Sequence, residues 1–363
     1  MSIHSSLSAA ITLLVLLPLS SCADSTALAP PAAPPQAQPS APTLRAPVTQ
    51  PPTAPALAAS PSTASPPPPA APPPPVAPTA PPVPPVPRSL AGDACALCQR
   101  ATAIGRLQNP AIDEASGLAA SALYPGVLYV HNDSGDTPRF FAIDHQGAHL
   151  GTYNVRPALA LDWEDMARGP CAGGKGSCLY LGDTGDNLAV RPAAAVYRVA
   201  EPDSFGGGEH DLSAEAFPFR YPDGPRDAET LLVHPLTGVI TVVSKVKAGA
   251  SSIYEFPVPL SAGKVVTLVK VGEVAAPEGS PRFTGGDVHP KGEGVLLRTY
   301  DRLWFYAMKP EESVAKALSR RPCPVAVAKE PQGEAVAWEA DGQGYVTASE
   351  GAGTAVSGVS CGR

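Results

Sequence analysis

Glu114-Ala-Ser-Gly-Leu118-Ala119, Asp162-Trp-Glu164-Asp-Met166-Ala167, Asp227-Ala-Glu229-Thr-Leu231-Leu232, Gly285-Gly-Asp287-Val288-His289 and Gln332-Gly-Glu334-Ala-Val336-Ala337 are five versions of one pattern. In each, a small or acidic residue and then an apolar one open an extended segment. A turn follows, as in His234-Pro-Leu-Thr-Gly238 and His289-Pro-Lys-Gly292, and then a second apolar run: Val127–Val130, Cys178–Leu181, Val239–Val243, Gly294–Leu297 or Gly344–Thr347. A third run carries an aromatic residue: Phe140-Phe141, Tyr197, Tyr254 or Trp304-Phe-Tyr306. Short runs of β-branched and aromatic residues between Gly, Pro, Asp and Asn clusters are the mark of many short strands. The interval between repeats, about 48 to 65 residues, is the size of a four-stranded propeller blade with its loops.

Working outward, the expected fold is all-β: a β-propeller of five blades, with six left open by the long interval from Glu164 to Glu229. The last repeat has two clear strands before Arg363. Ala101 to Leu107 can supply its outer strand and close the ring, which removes exposed sheet edges. Only Pro310 to Leu318 reads as a helical turn.

Seven cysteines divide as one plus six. Cys171 and Cys178 bracket a glycine-rich loop and suit a short disulfide. Ring closure brings Cys361 to Cys95 or Cys98, and leaves Cys323 for the other. Redox and zinc readings of Cys95-Ala-Leu-Cys98 lack the flanking elements or the second ligand pair that they need.

The N-terminal part differs in composition. Ile11 to Leu17 is an apolar run too short to span a bilayer, which takes about 20 residues, and residues 1–21 read as a signal peptide. Leu19-Ser-Ser-Cys22 resembles the lipobox of bacterial lipoproteins, with Cys22 as the lipidated residue. The departure is an n-region with no Lys or Arg, and the alternative is an ordinary secretory signal. Residues 22–92 form an Ala/Pro-rich tether: from Pro30 to Pro87, 25 of 58 residues are proline. Such a stretch cannot build a core and extends as a semi-rigid, disordered spacer. Residues 93–363 form the propeller. The expected location is the cell envelope, anchored through the lipid; Ala23 after the cysteine points to an outer membrane if the host is Gram-negative.

From Asp93 onward the chain carries 24 basic and 32 acidic side chains. No basic stripe exists, which argues against a nucleic-acid partner. The acids are placed instead where blades converge. First strands line a propeller's channel, so Glu164, Glu229, Asp287 and Glu334 should crowd one end of it, with Glu114 as a further candidate; Asp165 lies beside them. Like charges so close raise one another's pKa unless a cation intervenes. A second set follows the second strands: His131-Asn-Asp133-Ser-Gly-Asp136, echoed by Gly182-Asp183-Thr-Gly-Asp186-Asn187, then Ser244-Lys245, Arg298-Thr299 and Ser349-Glu350. Oxygen-rich loops of this kind suit calcium, and the competing reading is turn capping by Asp and Asn. The expected metal ligands are Asp133, Asp136, Glu164, Asp165, Asp183, Asp186, Glu229, Asp287 and Glu334. Arg139, Lys245, Arg298 and His131 are the candidate ligand-binding residues, and His131 is the one histidine placed for acid–base work. Trp163 is read as packing between blades.

At Glu114–Leu118, Asn132-Asp133-Ser134, Asp162–Asp165, Gly182–Asn187 and Asp227–Glu229 the chain resembles bacterial secreted propellers of the SdiA-regulated and esterase-like phytase groups. The resemblance implies a calcium-binding propeller and, for some members, phosphoester cleavage. Neither a Gly-x-Ser-x-Gly elbow nor another catalytic constellation is present. The expected role is therefore a binding or scaffold module whose funnel takes a protein, a glycan or a small anion. A calcium-dependent phosphoester hydrolase and a cell-wall adhesin are the alternatives.

Overall fold

The computed structural model describes residues 94–362. The expected signal peptide, Cys22 and the whole of the proline-rich tether lie outside the described residues. The described residues start with a short helix, α1 (Ala94–Leu97), and strand β1 (Ala101–Arg106). Blade I is β2 (Ala115–Ala120), β3 (Val127–Asn132), β4 (Arg139–Asp144) and β5 (His149–Arg156). Blade II is β6 (Trp163–Pro170), β7 (Ser177–Asp183), β8 (Ala194–Ala200) and β9 (Glu209–Arg220). Blade III holds β10 (Thr230–Val233), β11 (Ile240–Val243) and β12 (Ser251–Glu255). After the two-residue β13 (Val266–Thr267) it is completed by β14 (Val269–Val274). Blade IV is β15 (Phe283–Val288), β16 (Gly294–Thr299), β17 (Leu303–Ala307) and, after helix α2 (Val314–Leu318), β18 (Cys323–Val325). Blade V is β19 (Gly333–Trp338), β20 (Gly344–Ser349) and β21 (Ala355–Ser360), with β1 as its outer strand, antiparallel to β21.

Every blade is an antiparallel meander, as alternating hydrophobic strands joined by Gly turns dictate. The inner strands β2, β6, β10, β15 and β19 neighbour one another in that order, and β19 returns to β2. The ring is therefore closed with five blades. Its core is divided accordingly into five apolar clusters, each between two adjacent sheets. One joins blade V to blade I through Leu118, Phe141, Ala335 and Val346. Another joins blades I and II through Tyr129, Trp163, Met166 and Leu179. Trp163 is 1% exposed and packs there. Blades I and II are also zipped at their outer strands, where β5 and β9 run parallel, and β13 extends the same strand β9 from blade III.

Disulfides fasten the closure. Cys98 joins Cys361, just beyond β21, and Cys95 joins Cys323 at the head of β18, so that α1 is tied to both neighbouring blades. Cys171–Cys178 closes the glycine loop before β7. Among the described residues no helix is long and apolar enough to cross a membrane.

Candidate functional site

The first strands share one irregularity. Pairing between first and second strands slips by one residue between Ala115 and Gly117, Trp163 and Asp165, Phe283 and Gly285, and Gly333 and Ala335. The residues in those bulges are Ser116, Glu164, Thr284 and Glu334. In blade III the same slip falls just ahead of β10. There Lys245 donates its N–H to the Asp227 carbonyl at 2.9 Å, while Thr230 already pairs with Val243, and the bulged residue is Glu229. A bulge re-aims its side chain and is frequent beside functional sites. Ser116, Glu164, Glu229, Thr284 and Glu334 thus occupy one structural position in five blades, each at most 3% exposed.

Two residues earlier, on the same side of an extended chain, stand Glu114, Asp162, Asp227, Arg282 and Gln332. At the ends of the second strands stand Asp133, Thr184, Lys245, Tyr300 and Glu350. Carboxylates from these positions meet across blades. Oxygens of Glu114, Asp133 and Glu350, of Asp133, Asp162 and Glu164, and of Glu164, Asp227 and Glu229 lie within 4.8 Å of one another in each trio. Asp133 and Glu164 each belong to two trios, so the mouth carries one continuous carboxylate surface. Gly185 permits part of this approach, because a Cβ there would overlap the carboxylates of both Glu164 and Asp162.

Lys245 is the basic group seated within this surface, where it pairs with Glu229. It does not balance the charge. Burial, then the neighbouring acids Glu229 and Glu350, raises the Glu334 carboxyl to about 9. Burial raises Glu229 to about 8 against the pull of Lys245. Burial followed by adjacent carboxylates also lifts Asp162 to about 6 and holds Glu164 well above its ordinary range. Asp133 rises to about 6, with burial ahead of Glu350 and Glu114. One oxygen each of Glu229 and Glu334 is buried with no hydrogen-bond partner. Buried acceptors of this kind are normally satisfied. Ser116 and Thr284 add hydroxyl oxygens, their protons directed to the backbone carbonyls of Glu164 and, at 3.1 Å, Gly333. The donor set is all oxygen, mostly carboxylate, from five strands around one axis. It fits a hard cation.

Several sequence-stated residues stand elsewhere. Asp287 lies three residues beyond the bulge, where Thr284 takes the ring position in blade IV. Its carboxylate accepts the N–H groups of Val288 and Trp338, both at 2.8 Å. Asp165 is likewise consumed by backbone, accepting from Met166 at 2.8 Å, Leu231 at 2.9 Å and Gly286 at 3.2 Å. These two acids staple inner strands together and belong to none of the carboxylate trios at the mouth. Asp186 accepts the N–H groups of Val190 and Arg191 at 2.9 and 2.8 Å, and Asp183 pairs with Arg191 at 2.9 Å. Asp136 pairs with Arg139 at 2.9 Å. Among the described residues Asp136, Asp183 and Asp186 belong to none of the three carboxylate trios; their carboxylates accept turn N–H groups or pair with arginines.

Among the ligand-binding candidates, Arg298 is fully buried. Its guanidinium pairs with Glu330 and donates to the carbonyls of Ala335 at 2.8 Å and Ala348 at 3.3 Å. It is a structural tie, and Tyr300 stands at the rim instead. His131 is also fully buried, edge-on to Trp163 with ring centroids 5.3 Å apart, and burial lowers its pKa, so it is not a rim acid–base group. Arg139 caps the Phe141 ring at 4.9 Å and is held by Asp136. Lys245 alone of the four lies in the mouth. The residues that sequence reasoning left outside the ligand set are Asp162, Asp227, Glu350, Ser116, Thr284, Arg282 and Tyr300. For Asp162 and Asp227 the signal was the Asp-x-Glu spacing with Glu164 and Glu229, which in an extended chain sets both carboxylates on one face.

No protein-family model matches the chain, and no curated protein sequence matches it. Among solved structures, a gluconolactonase from Xanthomonas campestris is similar with a TM-score of 0.37 and 12% sequence identity, over 65% of this chain and 69% of that one.

Proposed function

We propose that the protein is an exported, lipid-anchored propeller that binds calcium at its channel mouth and uses the loaded mouth to hold a small anionic ligand. The observation that carries this reading is the recurrence of Ser116, Glu164, Glu229, Thr284 and Glu334 at one bulge position, with two buried carboxylate oxygens unpartnered. Calcium is preferred because it takes six to eight oxygens at about 2.3–2.6 Å in a flexible shell, whereas zinc and copper favour nitrogen and sulfur donors that the mouth lacks. An exported protein also meets calcium outside the cytoplasm, in keeping with its lipobox and disulfides.

A second reading has its own support. Asp133 and Asp162, each raised to about 6, can hold or release a proton near neutral pH beside the cation site. That pairing suits calcium-dependent phosphoester hydrolysis, in which a bound cation lends charge stabilisation. Calorimetric titration of the full-length protein with calcium should show one strong site, weakened at least tenfold in Glu229→Gln and Glu334→Gln. Equal affinity in the variants would refute the site. Turnover of simple phosphoesters that requires calcium and is lost in Glu164→Gln would establish the hydrolase. Ligand binding without turnover would leave the binding module.

A further inference from the structure

Two adjoining loops at the mouth end of the propeller turn their larger apolar side chains toward water and their smaller ones toward the core. Residues 157–161 lead from β5 into β6, and residues 184–193 join β7 to β8. In the first loop Ala158 and Ala160 pack against the core between blades I and II, while Pro157, Leu159 and Leu161 stand outward. In the second, Leu188, Ala189, Val190 and Pro192 are exposed, whereas the Arg191 guanidinium is turned in to pair with Asp183. Leu159, Leu161, Leu188 and Val190 are 62, 59, 82 and 68% exposed. A single exposed leucine needs no explanation. Four large aliphatic side chains on adjoining loops form a patch of the kind that marks an interaction site.

Hydrogen bonds fix the outward placement. The Asp186 carboxylate accepts the N–H groups of Val190 and Arg191 at 2.9 and 2.8 Å, and its carbonyl accepts that of Ala189 at 2.8 Å. Ala189 is held at φ 53°, in the left-handed region that a Cβ disfavours. The two loops are joined where Gly185 donates to the Asp162 carbonyl at 3.1 Å and Asp162 donates to the Asp183 carboxylate at 3.0 Å. Asp183 and Asp186 are buried and Asp162 is half-buried, so no exposed acid stands in the patch. A rigid aliphatic patch of this kind is unfavourable in water until something covers it.

We propose that the patch docks on a lipid bilayer, into which Leu159, Leu161, Leu188 and Val190 insert. Three observations select a bilayer. Four side chains on two loops fall well short of the roughly 800 Å² that each partner contributes to a stable protein interface, whereas binding at a membrane surface combines a small buried apolar area with attraction between cations and anionic headgroups. Such a cation stands beside the patch. Asp227 accepts the Asp186 N–H on its carboxylate and the Lys245 N–H on its carbonyl, both at 2.9 Å, so the Leu188 loop adjoins the segment that carries Lys247. Lys247 is exposed, and among the described residues no ion pair or side-chain hydrogen bond engages it. Third, Cys22, proposed above as the lipid-bearing residue, precedes the propeller by the proline-rich stretch. An anchored propeller stays within reach of its own bilayer, where a weak contact is enough. The inference rests on the anchored reading in this last respect, and it does not need the calcium site.

The test uses full-length protein carrying Cys22→Ser, which removes any acyl chain, with vesicles of equimolar phosphatidylcholine and phosphatidylglycerol in chelator. The protein should sediment with the vesicles. Leu188→Ser/Val190→Ser and Leu159→Ser/Leu161→Ser should each lower the partition coefficient at least tenfold with an unchanged thermal melt. Fluorescence of the Leu188→Trp protein should gain a component that shifts to the blue on vesicle binding and is quenched by brominated lipid, a readout that a loss of fold would not give. Failure of the Cys22→Ser protein to sediment, equal partition by the serine variants, or an unquenched Leu188→Trp protein on the vesicles would each overturn the proposal. Concentration-dependent dimers that the serine variants abolish would assign the patch to a second copy and overturn it as well. Vesicle binding that persists in a protein whose full chain takes up no fatty-acid label would sustain the docking patch and refute the anchor.

Discussion

Arg298 shows how a charged side chain can be read from its neighbours. Its guanidinium lies inside the protein with the Glu330 carboxylate, and it reaches backbone carbonyls of blade V from a strand of blade IV. Removing one partner of such a pair leaves a buried charge uncompensated, which costs about 3–5 kcal/mol. Arg298→Ala should lower the unfolding free energy read from urea titration by that amount, whereas replacing Arg298 and Glu330 together by apolar residues should cost much less. At the mouth the acids set a pH dependence. Glu334 and Glu229 keep their protons to about 9 and about 8 because burial and neighbouring acids disfavour the charge, whereas the unfolded chain releases them in the ordinary carboxylate range. Between those limits the native state binds more protons than the unfolded state, so stability without a cation falls as pH rises. On the proposed reading, calcium must displace these protons. Thermal melts in chelator should therefore drop from pH 5 to pH 9, and the increment produced by calcium should grow over the same range. A pH-independent increment would count against ligation by these groups.

At the scale of elements, register decides which acid belongs to the site. The repeat, the strand count and the outer-strand contribution of Ala101–Leu107 were legible because apolar alternation and Gly turns are local signals. The ring of bulge positions was only partly legible. Glu164, Glu229 and Glu334 announce themselves by their Asp-x-Glu or Gln-x-Glu context, but blade IV offers Arg282-Phe-Thr284 there and a misleading Asp287 three residues on. The slip that fixes the equivalence is a property of strand pairing, and a one-residue change in register moves every side chain to the other face. Arg298 misled in the same way, because it precedes the rim position held by Tyr300. Loops contribute as well. Gly185→Ala should push the Glu164 and Asp162 carboxylates apart and weaken calcium about tenfold, equivalent to about 1.4 kcal/mol, while circular dichroism remains that of the parent. An unchanged calcium affinity would show that the Gly185 loop does not shape the site.

Over the whole molecule, closure lets five distant stretches of chain meet on one axis. Blade V is assembled from both ends of the domain, β1 with β19 to β21; Cys98–Cys361 fastens its two chain ends together and Cys95–Cys323 ties them to blade IV. A cross-link between residues so far apart in sequence restricts the unfolded chain strongly, and removing a native disulfide of this kind typically costs about 2–5 kcal/mol. The Cys98→Ser/Cys361→Ser pair should accordingly unfold at lower temperature, and on the proposed reading of a calcium site that spans the blades, calcium should recover part of the loss. Metabolic labelling with a fatty acid tests the proposed anchor: label should appear on the full chain and vanish in Cys22→Ser.

Crystals of the full-length protein grown or soaked with a calcium-mimicking lanthanide would measure the metal position directly through anomalous scattering. One dominant peak on the propeller axis, within about 2.3–2.6 Å of oxygens from Glu164, Glu229 and Glu334, is the predicted result. A mouth without a peak, or peaks confined to the Asp136 and Asp186 turns, would contradict it.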